Sequence, residues 1–572
     1  MVILFFGMSG IDIHSSLTKF LREFKPFRTK HFEDRKPVLL KIDSEIEEVF
    51  YELFPNVDRA KNVWVELILH KSYPVLEKLW LDAFEKIYIK VKKIQSDNPQ
   101  TPIFINLHSC YLHNRTKEYI ALIKIDKLKM LNPKMVITLI DDIYDIHHRL
   151  TKLGGIYSGI EASMVDMIQR YFRLLDWRSK ETMMARFLAN HLNCKNIVFA
   201  VKHSYETLSN LIFEDYPTAY VSHPISEVRR LEKSSNPHAA DVIKNEIEDL
   251  SEYLQANFTT FLPTTIDEYR VKSETVIRTL PNGETRNEKS YFPVLTKRWQ
   301  EEIYQNPQDI LFQASGFNDT NSLWHQAKPN KLNTEVSHLL SVLVDTISGQ
   351  VSTRDYSMVE QSDLIIIYRP LFNGNGSSGV LEEFNYFRTL KSDTNKDESS
   401  CFIYCPQSDI NDYYKNVFNG KINHYLNIGQ LKKTDGSKFE GISPMECGKL
   451  TETTPSKAII FDLLNEVLGN HNIVIDVEVT SAPLSKNEST EFKNKFVKKV
   501  LNDFTILDDY RNKSLLFIQE ELTIEAFCNK IKESLNIHGR KSINDIDNIN
   551  VLKNTSILEK TNDLENEQSD ID

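Results

Sequence analysis

The chain of 572 residues is 41% apolar and 10% aromatic, and its formal net charge is −11. This length and apolar content predict roughly two to four globular domains with buried cores. The negative charge, and a sequence without a Lys/Arg stripe interleaved with aromatic residues, argue against a protein that coats nucleic acid.

The cysteine content and the N-terminal segment predict a soluble, cytoplasmic protein. Six cysteines occur in the whole sequence, which favours reduced thiols over disulfides or zinc ligands. The apolar segment 1–6 stops at Gly7 without a basic region before it, and no run reaches the ~18 apolar residues of a membrane span. We therefore expect no membrane partner, no metal and no cofactor.

The first strand, turn and helix have the order of a nucleotide-binding loop but not its residues. Val2–Phe6 is typical of a strand, and residues 17–24 of a helix. A phosphate loop needs a second glycine and a lysine, whereas Asp12 and Ile13 occupy these positions. A carboxylate there would repel a triphosphate, so we do not expect phosphoryl transfer. The residues of this degenerate nucleotide loop are Gly7, Ser9, Gly10 and Ser15.

Three further segments follow this loop in order: TPIFINLHSCYLHN at 101–114, LKMLNPKMVITLIDDIYDIHHRL at 128–150 and LNCKNIVFAVKHSYETLSNLI at 192–212. In order and spacing, residues 1–214 resemble the archaeal-type adenylate kinases. The resemblance implies a doubly wound α/β domain. Segment 151–163 lacks the paired arginines of that family's lid, so the kinase activity is not expected to carry over.

Four polar residues of this domain each have a functional and a structural interpretation. The resemblance places His108 and Ser109 in a pocket, but a histidine at a strand end is often a structural group. Asp141 and Asp142 follow the predicted strand Met135–Ile140. They would either hold magnesium through water or cap the next helix.

A second α/β unit is predicted over residues 215–410, with a polar, aromatic insertion at 267–335 that contains a hairpin. Its chemistry-bearing part is a buried strand, a glycine-rich loop and a helix that opens near two carboxylates, the end of an open α/β sheet where ligands bind. The segments concerned are AYVSHPIS at 219–226, TTFLP at 259–263, RDYSMVEQSDLIIIY at 354–368 and SSGVLEEF at 377–384.

Together these segments resemble the nucleoside 2-deoxyribosyltransferases and the related 2'-deoxynucleoside 5'-phosphate N-hydrolases. The family's signature, D/S-x-G-x-x-x-E, maps onto Ser377, Gly379 and Glu383, and its aspartate maps onto Asp355. The resemblance implies a doubly wound sheet, cleavage of an N-glycosidic bond and homo-oligomers that complete each active site.

The two carboxylates have the chemistry that this reaction needs. Cleavage passes through an oxocarbenium-like state, which a carboxylate at the anomeric carbon stabilises or attacks. Glu383 is the candidate nucleophile, and Asp355 would either protonate the leaving base or hold it in place. An error of one residue in helix phase would exchange Glu383 with Glu382. In a purely structural reading, the two glutamates only favour the helix N-terminus.

A nucleotide is favoured over a nucleoside as the substrate. The 2'-deoxynucleoside 5'-phosphate N-hydrolases have a serine at the first signature position, which the resemblance assigns to the 5'-phosphate, whereas the transferases tend to have an aspartate there. Backbone N–H groups of the glycine-rich loop would add an anion-binding nest. Arg229 and Arg230 are either phosphate ligands or solvated helix charges. The predicted substrate-binding residues are Ser222, His223, Ser377, Ser378 and Gly379.

The sequence thus predicts an α/β protein with two doubly wound, mainly parallel sheets and a smaller C-terminal α/β region. That region spans 411–538 as an accessory or oligomerisation unit, and 539–572 is a disordered tail. The predicted activity is that of a nucleotide N-glycosidase, in which the first domain is a sensor or scaffold. Such a fusion suits a conditional nucleotide-depleting effector with a protein or small-molecule trigger, for example in bacterial antiviral defence. The alternatives are an NAD glycohydrolase and a non-catalytic nucleotide-binding sensor.

Overall fold

The structure is a computed structural model. It describes residues 1–23, 37–59, 63–113, 116–151, 156–157, 164–214, 216–232, 237–266, 268, 271–279, 285–293, 334–393, 400–416, 432–433, 473–474, 506–507 and 509–535. The predicted tail at 539–572, most of the 267–335 insertion and most of 417–505 lie outside these residues.

The first domain is built around a five-stranded parallel sheet. Its elements are β1 (Val2–Phe6), α1 (Ile13–Glu23), β2 (Val38–Lys41), α2 (Ile42–Leu53), α3 (Val63–Glu66), α4 (Tyr73–Asp97), β3 (Ile103–Asn106), β4 (Tyr111–Leu112), β5 (Tyr119–Ile120), α5 (Ile125–Lys129), β6 (Met135–Ile140), α6 (Ile143–Thr151), α7 (Met164–Leu192), β7 (Lys195–Ala200) and α8 (Tyr205–Phe213). The order of the strands is β2-β3-β1-β6-β7, and β4 and β5 form a separate antiparallel pair.

The central strands β3, β1 and β6 are buried along their whole length because helices cover both faces of the sheet. Every residue of β1 and of β6 is buried, and the strand predictions at these positions are confirmed. Strand β2 was not predicted, so the strand predicted at 103–109 is the third along the chain and not the second. The sequence VLLK of β2 is short, only half-buried and directly followed by α2, so it lacks the signal of a buried strand.

The second domain has its own five-stranded parallel sheet. Its elements are β8 (Thr218–Ser222), α9 (Ile225–Glu232), α10 (Pro237–Gln255), β9 (Thr259–Phe261), β10 (Val271–Thr279), β11 (Thr285–Pro293), α11 (Thr334–Glu360), β12 (Leu364–Tyr368), α12 (Ser378–Asp393), β13 (Cys401–Tyr404), α13 (Gln407–Asn416), β14 (Lys432–Lys433), β15 (Ile473–Val474), β16 (Leu516–Ile518) and α14 (Ile524–Ser534). The order of the strands is β9-β8-β12-β13-β16. The chain first adds β9 on one side of β8 and then adds β12 and the later strands on the other side, so the strand order reverses between β8 and β12.

The predicted fold class is confirmed, since the protein contains two doubly wound parallel sheets. The second sheet extends beyond residue 410, where its domain was predicted to end. Strand β16 pairs with β13, so part of the predicted accessory region 411–538 completes this sheet. The chain between β13 and β16 is long and polar, so no local sequence pattern indicates that these two strands pair. The antiparallel pair of β10 and β11 lies in the predicted insertion.

The two domains meet through α7 and α11 and share one apolar core. At their boundary, the side-chain amide of Gln361 pairs with the edge strand β7. It accepts a hydrogen bond from the N–H of Val198 at 2.8 Å and donates one to the carbonyl of Val198 at 2.9 Å. Gln361 therefore satisfies outward-pointing backbone groups of an otherwise open sheet edge.

Five of the six cysteines lie among the described residues, and all five are free thiols. None of the helices in the described ranges combines the length and the apolar character that a membrane span requires.

We expect Gln361→Ala to destabilise the protein by about 1–3 kcal/mol, because the buried N–H and carbonyl of Val198 would lose their partners. Denaturant unfolding of the purified chain measures this loss. Gln100→Ala, which truncates an exposed glutamine, is the matched control and should leave the midpoint unchanged. Equal midpoints for the two variants would contradict a role for Gln361 at the domain boundary.

Candidate active site

The predicted catalytic residues come together where the second sheet reverses its strand order, the position at which open α/β sheets bind ligands. Strand β8 ends at Ser222, and helix α12 begins after the loop that follows β12. Glu383 lies in the second turn of α12, and Asp355 lies in α11, the helix that precedes β12.

The carboxylate of Glu383 is held by two hydroxyl groups from β8. Tyr220 donates a hydrogen bond to its Oε1 at 2.8 Å, and Ser222 donates one to its Oε2. Tyr220 and Ser222 are two residues apart on one strand, so their side chains point to the same face of the sheet. Ser222 was predicted to bind substrate, but here it positions the candidate nucleophile. Tyr220 was not predicted.

The surroundings of Glu383 raise its pKa to about 7. The main cause is burial of the carboxylate, and the negative charge of Asp355 adds to it. The hydrogen bonds from Ser222 and Tyr220 act in the opposite direction because they favour the ionised form. Glu383 therefore changes its charge near neutral pH, whereas an exposed glutamate is fully ionised there.

Asp355 is buried beside an arginine of the same helix. Arg354 donates two hydrogen bonds to its Oδ1, at 2.9 and 2.8 Å. The pKa of Asp355 is raised because burial outweighs the nearby positive charge of Arg354. The guanidinium of Arg354 also donates to the carbonyls of Pro263 and Ile266, at 3.1 and 3.0 Å. Arg354 thereby connects the candidate acid to the chain that follows β9.

Both carboxylates line one small cavity, which we call the Glu383 cavity. Its volume is about 160 Å³, which is below the ~300 Å³ at the lower end of ligand pockets. It is therefore too small to enclose a whole nucleotide. Its polar wall consists of His223, Ser226, Arg229, Ser352, Arg354, Asp355, Tyr356, Ser377, Glu382 and Glu383, and Gly379 also lines it.

His223 forms part of the cavity wall. Its side chain is buried, and among the described residues its Nδ1 has no hydrogen-bond partner. Burial is the main cause that lowers the pKa of His223 to about 4, so the imidazole is neutral at pH 7. A buried polar atom without a partner is costly.

The start of α12 forms another side of the cavity. Ser377 precedes the helix, and its Oγ accepts a hydrogen bond from the N–H of Val380 at 3.4 Å. Gly379 is exposed, with open space where a side chain would lie. Ser378, predicted to bind substrate, is exposed and does not line the cavity. Of the two predicted arginines, Arg229 lines the cavity, whereas Arg230 forms an ion pair with Glu227.

The degenerate nucleotide loop of the first domain is filled by its own apolar side chains. Met8, Ile11 and Ile13 are buried, and the carbonyl of Gly10 accepts a hydrogen bond from Arg149. Asp12 has a φ of 55°, a left-handed conformation that favours glycine. Its Oδ1 accepts a hydrogen bond from the N–H of Ser15 at 3.4 Å, which caps α1. Gly7 and Ser9 belong to the same loop.

The other polar residues predicted in the first domain have protein partners. His108 contacts the carbonyl of Gly7 and the carboxylate of Asp43, at 2.6 and 3.0 Å. Burial lowers the pKa of His108, but Asp43 outweighs this and the pKa rises to about 9. Ser109 donates to Glu181 through its N–H at 2.7 Å. These contacts favour a structural role for both residues.

The aspartate pair after β6 is also engaged. Asp141 forms an ion pair with Arg149 at 2.5 Å, and Asp142 accepts a hydrogen bond from the N–H of Tyr144 at 2.8 Å. Asp142 thus caps α6, in line with the predicted alternative of a helix cap and not with that of a magnesium site. Within the described ranges, no group of three or more His, Cys, Asp or Glu side chains is arranged to hold a metal ion.

No protein-family model matches the chain, and no curated protein matches it significantly. A proposal for the function of the protein therefore rests on the geometry of the site.

The raised pKa of Glu383 makes the stability of the protein depend on pH. Above pH 7 the folded protein must bury an ionised Glu383, a cost that falls as the pH drops toward the unfolded pKa of about 4.5. We expect Glu383→Gln to raise the melting temperature at pH 8 by about 2 °C or more, and by less at pH 5. Thermal unfolding at the two pH values measures the difference.

Glu382→Gln is the matched control, since Glu382 neighbours Glu383 but is exposed. It should change the melting temperature by the same small amount at both pH values. If Glu383→Gln behaved like this control, Glu383 would not carry the cost described here.

Proposed function

We propose that the second domain is an N-glycosidase that releases the base from a nucleotide, with Glu383 as its nucleophile. The observation that carries this proposal is the carboxylate of Glu383, held by Tyr220 and Ser222 in the wall of a cavity that also contains a second carboxylate. A fixed carboxylate with a second carboxyl group beside it is the set that glycosidic cleavage uses.

In the first step, an oxygen of Glu383 attacks the anomeric carbon of the sugar while the bond from that carbon to the base nitrogen breaks. The electron pair of this bond goes to the base, which takes a proton from Asp355. In the second step, water attacks the glycosyl ester on Glu383 and returns a proton to Asp355. Free base and sugar phosphate are the products.

The environment of each carboxylate suits its role. Burial raises the pKa of Asp355, which favours the protonated form that an acid needs. Protonation of Asp355 removes a negative charge beside Glu383 and so favours the ionised nucleophile. Tyr220 and Ser222 orient the same ionised form by donating to both of its oxygens. The pair can therefore share one proton between an acid and a nucleophile.

The proposed binding mode uses polar groups that line the Glu383 cavity. The N-terminus of α12 at Ser377 and Gly379, together with Arg229, would hold the 5'-phosphate. His223, which also lines the cavity, would lie against the sugar or base. Because the cavity is smaller than a nucleotide, a neighbouring subunit would cover the remainder, as the resemblance to the deoxyribosyltransferases implies.

Base release from a panel of deoxyribonucleotides, ribonucleotides and NAD, followed by liquid chromatography, tests the activity. We expect Glu383→Gln to lower kcat/KM by about 10³-fold or more, because the nucleophile is lost. Glu382→Gln is the matched control and should retain activity within about 3-fold. Release that survives Glu383→Gln, or is lost equally in both variants, would contradict the assignment. Nicotinamide release from NAD alone would identify an NAD glycohydrolase.

The role of Asp355 as an acid can be separated from a structural role by the leaving group. A 7-methylguanine base departs as a neutral molecule and needs no proton from the enzyme. For a purine substrate, we expect Asp355→Asn to lower kcat on the guanosine nucleotide by about 10²-fold or more, but to have little effect on its 7-methyl derivative. Equal losses on both substrates would show that Asp355 does not act as the acid. Glu383→Gln should abolish both reactions.

A further inference from the structure

An aromatic ring lies in the wall of the Glu383 cavity. Among the described residues that line the cavity, Tyr356 carries the only aromatic side chain apart from the imidazole of His223. Tyr356 is half-buried, whereas His223 is almost fully buried. The phenol ring is therefore the larger of the two aromatic surfaces and the more accessible one.

Tyr356 lies on the same side of α11 as the proposed acid. Val351, Ser352, Asp355 and Tyr356 all line the cavity. Residues four apart on a helix lie one above the other, so Asp355 follows Val351 in one row and Tyr356 follows Ser352 in the next. Burial raises the pKa of Tyr356, and the charges of Glu382, Glu383 and Asp355 add to it. The phenol ring is thus neutral at pH 7 and lies near both proposed catalytic carboxylates.

A second tyrosine holds the ring of Tyr356 in place. The rings of Tyr356 and Tyr386 are stacked, with their centroids 4.3 Å apart and an angle of 27° between their planes. Tyr386 lies on α12, three residues after Glu383. The stack therefore joins the helix of the proposed acid to the helix of the proposed nucleophile. Because Tyr386 covers one face of Tyr356, a ligand would contact the remaining part of the ring.

The position of Tyr386 is in turn set by α11. Its hydroxyl donates a hydrogen bond to Oε1 of Glu360, which lies four residues after Tyr356. Glu360 also pairs with Arg186 of the first domain at 2.9 Å. Arg186 is 57% exposed, and an exposed ion pair contributes little. The ring stack and the hydrogen bond of Tyr386 thus orient Tyr356 before any ligand arrives, which lowers the entropic cost of binding.

The proposed mechanism places the base of the substrate beside this ring. The base leaves the anomeric carbon on the side opposite Glu383, toward the proton of Asp355. The 5'-phosphate is assigned to the N-terminus of α12 at Ser377 and Gly379, which leaves α11 for the base. Aromatic side chains bind bases by stacking, and differences in stacking strength give modest preferences among bases. The two rings of a purine offer more stacking area than the single ring of a pyrimidine.

We propose that Tyr356 is the base-binding residue of the Glu383 cavity, that it holds the leaving base by stacking, and that the site prefers purine nucleotides to pyrimidine nucleotides. The identity of the ligand rests on the proposed function. Tyr356 contacts the base directly, and Tyr386 is a positioning residue that acts through Tyr356.

Binding can be measured without any reliance on activity. Isothermal titration uses full-length Glu383→Gln protein, so that no probe is consumed. The probes are dAMP and AMP as purine nucleotides and dCMP and CMP as pyrimidine nucleotides. The sugar phosphates 2-deoxyribose 5-phosphate and ribose 5-phosphate are the matched probes without a base, and competition against the tighter purine nucleotide measures their weaker binding. We expect a purine nucleotide to bind several-fold more tightly than its pyrimidine counterpart.

Two variants in the same background assign the base to Tyr356. Tyr356→Ala should weaken binding of the purine nucleotide by about 10-fold or more, the range that loss of one base stack produces. It should leave binding of the sugar phosphate within about 2-fold. Tyr356→Phe keeps the ring and should retain purine binding within about 3-fold. If thermal unfolding shows that Tyr356→Ala is not folded, Tyr356→Leu removes the ring at closer volume and carries the same expectations.

Three results would overturn the proposal. Equal weakening of the nucleotide and the sugar phosphate would show that Tyr356 only supports the fold of the cavity. Purine binding that is unchanged by Tyr356→Ala, or absent altogether, would exclude Tyr356 as the base-binding residue. Pyrimidine nucleotides that bind as tightly as purine nucleotides would contradict the purine preference.

The outcomes for Tyr356 and for the proposed function are separate. In the active protein, Tyr356→Ala should raise KM for the purine nucleotide by about 10-fold with a smaller change in kcat, because stacking also binds the ground state. Purine binding that depends on Tyr356, without base release, would support the base site and contradict the glycosidase. Base release that requires Glu383 but has the same KM in Tyr356→Ala would support the glycosidase and contradict the base site.

Discussion

The buried ion pair between Arg178 and Glu268 is the contact on which the arrangement of the two domains depends. It joins α7 of the first domain to the chain that follows β9 in the second. Two charges removed from water are tolerated only when each is fully paired, and this pair also has the N–H of Ile143 and the amide of Gln350 as partners. The pair is therefore specific for one relative position of the two domains.

The proposed active site shows the same principle on a smaller scale. A carboxylate in the wall of a cavity is costly unless neighbouring groups favour its charge. Glu383 has two hydroxyl donors, but its burial and the neighbouring carboxylate of Asp355 outweigh them, so its pKa remains high. Asp355 has Arg354, which is in turn bound to backbone carbonyls. Both acidic groups thus depend on residues from other elements, and neither could keep its properties on an isolated helix.

The sequence was sufficient to predict the elements whose signal is local. Strands β1, β6 and β12 are continuous apolar runs, and two parallel sheets follow from their alternation with helices. Strand β16 was missed as a member of the second sheet because more than a hundred residues separate it from β13. Strand β2 was missed because four half-buried residues carry too little pattern.

The same distinction applies to the site. Glu383 and Asp355 stand in recognisable motifs, whereas Tyr220 contacts Glu383 across 163 residues of sequence. Its only local signal was the spacing of two from Ser222, which places both hydroxyl groups on one face of β8. Glu268 stands in a polar stretch that was assigned to an insertion. An ion pair between two domains produces no periodic pattern in a sequence, so the pairing of Arg178 with Glu268 was not predicted either.

During synthesis of the chain, the edge of β7 at Val198 is complete before Gln361, which pairs with it, has been made. Until residue 361 has been synthesised, the finished first domain carries an open strand edge at Val198, and such edges recruit strands from other molecules. A fragment that ends at the domain boundary would keep this edge permanently. The second domain thus covers, within the same chain, part of a strand edge that the first domain alone would leave open.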